Sequence, residues 1–181
     1  MDWPRNSRII LDVKGADVWS RLTAKTRNCI QRGIKEQHWL SHDKKWWHVW
    51  YATMMDKGIQ VDLSKALRLL GESFVEKDQS GKIIGGALVD LHQDPARYRL
   101  GFNTSQWLIW KIILECQRRG IPFLDLGQSR IGSGSYFFKT HIMKEYTEII
   151  SRASLWGMAK GWLSKRITLR TYYVYRRYPN C

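Results

Sequence analysis

Cysteine is scarce in these 181 residues: Cys29, Cys116 and Cys181 are the only three. They lie far apart and form no C-x-x-C pair, which excludes a disulfide framework and a thiolate zinc centre. No metal site is expected. Cys29 and Cys116 fall on helical patterns and read as small buried hydrophobes. Long apolar runs are missing as well. The longest, "WLIWKIILEC", is interrupted by Lys111 and is far too short to span a bilayer. The opening "MDWPRNSR" has no apolar signal core, so the expected compartment is the cytoplasm.

Acidic residues are also in short supply, 16 against 30 basic, for a formal net charge of +14. The deficit is uneven: residues 1–90 carry net +4 and residues 91–181 net +10. From Arg152 onward there is no acid, while seven basic residues accumulate among Trp and Tyr. Such a balance points to a polyanionic partner, a nucleic acid, a phosphorylated carrier or an anionic membrane face, with peripheral membrane attachment in the last case; the other reading is a soluble surface that is simply basic. Residues 152–181 therefore read as a basic aromatic extension to a domain over residues 8–151. The 44% hydrophobic content is enough for a packed core.

Hydrophobic periodicity predicts interleaved elements. "RIILDV" (8–13) is a strand. "ADVWSRLTAKTRNCIQRG" (16–33) is one helix stopped by Gly33, "IKEQHWLS" (34–41) a strand, and "DKKWWHVWYATMMDKG" (43–58) an aromatic helix. Asp62 is placed to cap a further short helix. "SFVEKDQSGKIIGGALVDL" (73–91) is the clearest hairpin, and "HQDPARYRLGF" (92–102) supplies the next strand. "TSQWLIWKIILECQRRG" (104–120) is a strong helix capped by Ser105, and "IPFLDLG" (121–127) is a buried strand. A Gly/Ser loop follows, then a helical turn at "YFFKTH", a strand at "EYTEIISRA" and a basic amphipathic helix at "LWGMAKGWLSKR". "ITLRTYYVYRRYP" is compatible with helix or strand. The fold class is α/β (α+β) with a mixed β-sheet flanked by helices.

This order, with the residues themselves, resembles an N-acetyltransferase-like (GNAT) domain of the Fem-type aminoacyl transferases. In "VWSRLTAKTRNCIQRGIK", Lys25, Arg27 and Ile30 fit the family's basic helix. In "NTSQWLIWKIILECQRRGIPFLDLGQSRIGSGSYFFK", Asn103, Trp110, Gly120, Asp125, Gly127, Gly132, Gly134, Phe138 and Lys139 fit an Asn, a Trp-bearing helix, a strand ending in D-x-G, and G-S/T-G-x-x-x-F-K. The resemblance implies a transferase that moves an aminoacyl or other acyl group onto an amine of a cell-envelope precursor or small molecule. Fem-type proteins usually have two such lobes and this chain has length for one, so a second chain supplying the other lobe is a further expected partner. "RLGFNTSQ" lacks the R/Q-x-x-G-x-G/A loop that ordinary acetyltransferases wrap around coenzyme A. Aminoacyl-tRNA is thus the expected co-substrate, ahead of acetyl-CoA, and no cofactor is expected. The alternative is a non-catalytic module of the same fold that holds RNA or an anionic membrane.

Acyl transfer needs an acceptor stripped of its proton, donors for the oxyanion and a stabilised leaving group. Gly127, Gly132 and Gly134 let backbone amides approach an anion. With Ser129, Arg130 and Ser133 they make an expected anion cradle, the other reading being a plain surface turn. By resemblance, Lys139 contacts the tRNA end or stabilises the transition state; otherwise it is a solvated lysine after two core Phe residues, and its loss should leave the fold intact. Asp125 could orient a lysine or an amine, or be a strand end bonded to loop amides. Tyr136 is a proton donor or a core ring, and His141 a base or a structural residue. Lys25, Arg27 and Asn103 complete the expected binding set.

Overall fold

A computed structural model describes residues 5–62, 64, 66, 68–152 and 173–177. One eight-stranded sheet organises them, in the order β2-β3-β4-β5-β6-β1-β7-β8. The strands are β1 (Arg5–Asp12), β2 (Trp39–Ser41), β3 (Glu72–Lys77), β4 (Ile83–Asp90), β5 (Ala96–Phe102), β6 (Phe123–Arg130), β7 (Tyr146–Arg152) and β8 (Tyr173–Arg177). The helices are α1 (Val18–Arg21), α2 (Ala24–Lys35), α3 (Trp46–Asp56), α4 (Gln106–Arg118) and α5 (Gly134–Thr140). This is the α+β layout, a mixed sheet flanked by helices, expected of a GNAT-like unit.

Alternation along β1 sends Ile9, Leu11 and Val13 to one face, where they are fully buried. There they meet α2 and α4 in a core with Leu22, Ile30, Trp107, Leu108, Ile112 and Leu124. The opposite face is covered by α3, whose Trp46 and Trp50 pack on Val75, Leu88 and Phe102. The aromatic helix is thus mainly a core element.

The hairpin forms as expected, β3 pairing antiparallel with β4. Asp78 closes its turn: Oδ1 accepts from the Ser80 and Lys82 amides at 2.9 and 3.0 Å. Ser105 caps α4, accepting from Leu108 N at 3.0 Å.

Three expectations fail for tertiary reasons. Residues 16–33 are two helices, broken where Leu22 turns extended, enters the core and bridges to Met143. Thr23 then starts α2 and also donates to the His141 carbonyl at 2.7 Å. Gly33 does not stop α2, which runs to Lys35 and leaves only Trp39–Ser41 as strand. A Cβ on Gly33 would stand 2.7 Å from Trp107 Cδ1, so glycine is what lets α2 approach α4. Finally, β6 continues through Gly127 to Arg130, so the Gly/Ser loop is shorter than the sequence implies.

Of the basic extension, Tyr173–Arg177 forms β8 and pairs antiparallel with Tyr146–Ile150 of β7. The amphipathic helix expected at 155–166 lies outside the described residues, as does part of the short helix after Asp62. Among the described residues no helix is long and apolar enough to cross a membrane.

Candidate active site

Among the described residues β5 and β6 are the one parallel pair, joined by α4, and their ladder holds only at Ala96–Leu124 and Arg97–Asp125. Beyond those pairs the carboxyl ends of the two strands carry no ladder between them. Open parallel pairs place ligands there, outside the strand ends. A cleft of about 460 Å³ occupies that position. Tyr98, Gly101 and Phe102 of β5, Leu126 of β6, and Gly134, Ser135, Phe138 and Lys139 of α5 line it. Asn103 and Thr104, just before α4, and Lys57 complete the wall.

Gly127 shapes the site. Its φ of +75° is left-handed, and the β1/β6 register slips between Arg8 and Ile10 opposite it, a glycine bulge. Its amide donates to Asp125 Oδ1 at 2.9 Å, so it is turned inward, not offered to a bound anion. The Gly127 and Gln128 carbonyls instead face α5, where Lys139 Nζ donates to them at 3.4 and 3.2 Å. The expected cradle of amides therefore presents carbonyl oxygens at its first glycine. Gly132 and Gly134 have open space around them, Ser133 caps α5 by accepting from Tyr136 N at 3.2 Å, and Arg130 is exposed.

Lys139 is not solvated: it is 9% exposed, yet it lines the cleft. Burial pushes its ammonium from the ordinary 10.5 down to about 8, against an opposing pull from the Asp125 charge. An ammonium has three N–H donors, and two carbonyls take two. One donor remains for a ligand oxygen in the cleft.

Asp125 is fully buried and already satisfied. It accepts from Arg8 through a close ion pair, from Arg97 Nε at 3.3 Å and from Gly127 N. It locks β1, β5 and β6 together at the base of the wedge and acts on Lys139 only through its charge. Tyr136 packs in the core beneath α5, and His141 is exposed, with Nδ1 2.7 Å from the Phe137 carbonyl. Ser129 is buried and its hydroxyl meets Ser135 Oγ at 3.0 Å. Lys25 is exposed on α2, and Arg27 donates to the Leu22 carbonyl at 2.6 Å. Neither reaches the cleft. Of the expected set, Asn103, Gly134 and Lys139 come together in it.

Tyr98, Thr104 and Lys57 join the cleft wall without having been among the expected site residues. Tyr98 Oη shares a hydrogen bond with Thr104 Oγ1 at 2.7 Å, and burial pushes its phenol up to about 12. Its ring occupies the space of a missing side chain, since a Cβ on Gly101 would fall 1.6 Å from the Tyr98 oxygen. A Tyr-x-x-Gly spacing in a strand was the available signal. Lys57 Nζ donates to Asn103 Oδ1 at 3.2 Å.

At the start of α4, Asn103 has a left-handed φ of +44°, and its carbonyl oxygen would stand 2.7 Å from a Cβ on Gly85. The Ser105 hydroxyl donates to the buried Glu76 at 2.6 Å, so a carboxylate already stands at the start of α4. Glu76 also meets His38 Nδ1 at 2.8 Å. Among the described residues no cluster of three or more His, Cys, Asp or Glu side chains is arranged to hold a metal ion.

No family model matches the chain, and no curated protein matches it. A solved structure similar to it is the C-terminal domain of a protein described as a lysylphosphatidylglycerol synthetase, from Agrobacterium fabrum, at a TM-score of 0.49 and 15% identity. The likeness covers 73% of this chain and 50% of that one, so this chain spans about half the length of that structure.

Proposed function

We propose that the chain is an acyltransferase that moves an aminoacyl group from a tRNA ester onto an amine, with the reaction held in the β5/β6 cleft. The observation that carries this reading is Lys139, a buried ammonium with one donor left over, at the wall of a cleft between splayed parallel strands. In such a transfer the amine nitrogen attacks the acyl carbon and the ester C–O bond breaks. The acceptor nitrogen gives up a proton, and the departing oxygen takes one. Lys139 would donate to the oxygen on which negative charge develops, where a fixed donor in a poorly hydrated site is worth most. Tyr98 stays protonated at working pH and can supply a neutral O–H nearby. Asn103, held by Lys57, offers an amide for orienting the acyl group.

The donor choice rests on the start of α4. The Glu76 carboxylate bonded to Ser105 disfavours a pyrophosphate there, through like charge. The net charge of +14 suits a polyanionic donor. Purified protein given an amine acceptor with aminoacyl-tRNA, and separately with acyl-CoA, should form amide by mass spectrometry only with the first. Product from acyl-CoA alone would overturn the donor assignment. Retention of tRNA with no transfer from either donor would assign the chain to the non-catalytic reading.

A further inference from the structure

The cleft opens into a second hollow of about 420 Å³. Met54, Ile59 and Gly101 line both, so the two form one continuous trough. Gly101, at the join, has no side chain to close it. The second hollow differs from the cleft in chemistry. Trp50 and Ala66 in its wall are buried in the core that α3 makes with Val75, Leu88 and Phe102. Met54, Val61, Leu69 and Leu100 pack on that core while staying partly exposed. Ile59 is 48% exposed. Gln60 and Asp62, both exposed, are the polar residues of the lining, and Asp62 Oδ1 already accepts from Ser64 Oγ at 2.7 Å.

A ligand that fills the whole trough therefore has two unlike ends. One brings an oxygen to the polar wall that holds Lys139, Asn103 and Tyr98. The other is apolar and removes Met54, Val61, Leu69 and Leu100 from water. In an aminoacyl ester the carbonyl carbon and the side-chain-bearing carbon are bonded to each other. With the carbonyl at Lys139, the side chain has the shortest reach to a hollow that shares the cleft's wall. An alkyl chain on the acceptor begins beyond the reacting bond, and a long one would meet the exposed Gln60 and Asp62.

We infer that this hollow is a side-chain subsite that takes a large aliphatic or aromatic aminoacyl group and rejects small and charged ones. The inference rests on the acyl-transfer reading in taking the ligand to be the acyl group. Binding is measured without turnover, so the two fail separately.

The probes are glycinamide, alaninamide, leucinamide, phenylalaninamide and lysinamide, whose unreactive amide stands in for the ester. N-octylglycinamide carries an alkyl chain on the other side of the carbonyl. Each is titrated into the wild-type chain and followed by NMR shifts. Apolar burial is worth about 4-fold in affinity per methylene. Leucinamide and phenylalaninamide should thus bind about 10-fold tighter than alaninamide or better, and lysinamide no tighter than alaninamide. Val61→Trp fills the hollow and should abolish the preference while glycinamide binds as in wild type. Ile59→Asp puts a charge in the wall and should cut phenylalaninamide affinity about 10-fold. Because Ile59 is exposed, this variant keeps its Tm and carries the test if Val61→Trp fails to fold. Absence of saturable phenylalaninamide binding, equal affinity across the series, or a preference unchanged in both variants would overturn the proposal. So would a gain from N-octylation in place of the side-chain gain, which would assign the hollow to an alkyl chain. A side-chain preference without transfer from any charged tRNA would overturn the acyl-transfer reading and leave the subsite in place; transfer without a preference would do the reverse.

Discussion

Lys139→Met removes a buried charge while keeping an unbranched chain of similar length. In the folded state Lys139 titrates at about 8 against an ordinary 10.5, so burial disfavours its ammonium by on the order of 3 kcal/mol. Methionine relieves that cost. It also leaves the Gly127 and Gln128 carbonyls without their donor, at about 1 kcal/mol each. The net expectation at pH 7 is a gain of about 1 kcal/mol, or roughly 2–4 °C in Tm for a chain of this size. The sign with pH follows from linkage. The folded state releases its proton first, so the unfolded chain binds more protons between pH 8 and 10.5, and wild-type stability rises with pH across that window. The advantage of Lys139→Met is therefore full below pH 8 and disappears, then reverses, by pH 10.5. Thermal unfolding of both proteins from pH 6.5 to 10.5 measures this. In the same variant, transfer should fall about 100-fold or more if Lys139 stabilises the transition state. A variant less stable than wild type at pH 7, or a stability difference that does not change between pH 8 and 10.5, would refute the argument.

Gly101→Ala should displace the Tyr98 ring, since the new methyl would lie 1.6 Å from its hydroxyl oxygen. Overpacking of this kind costs about 1–3 kcal/mol, read by urea unfolding, and should raise KM as the cleft wall moves. Gly33→Ala crowds Trp107 across the α2/α4 contact and should destabilise by a similar amount without touching the cleft, leaving kcat unchanged. Asp125→Asn removes the buried carboxylate from Arg8 and Arg97, both partly solvated, and should cost about 1–3 kcal/mol by denaturant titration. Glu115 is held down to about 2 by hydrogen bonds from Arg118 and then Arg119. Its contribution is present above its ordinary 4.5 and lost as pH falls through 2, so Glu115→Gln should flatten the acid limb of the stability curve between those values.

Local chemistry alone determined much of this chain. The hairpin was legible because two apolar runs flank Asp78 and Gly81, and the turn closes within five residues of chain on Asp78 itself. Helix α4 was legible from Ser105 and a clean apolar stripe, and β6 from a run of buried residues ending in Asp-Leu-Gly. Asn103, Gly134 and Lys139 are among the residues picked out by resemblance, and that they line one cleft is visible only in the folded chain. What tertiary structure decided are contacts between residues far apart in sequence, which periodicity does not encode. Leu22 broke a continuous helical pattern because the core and Met143 claimed it. Gly33 stayed inside a helix because Trp107, 74 positions away, needed its space. Asp125 became an ion-pair clamp because Arg8 arrives from the other end of the domain. Lys139 stays open in the sequence between a site residue and a solvated lysine, because its neighbours do not show that α5 folds down onto β6. Its burial, its lowered titration and the donor it keeps for the cleft all follow from that packing.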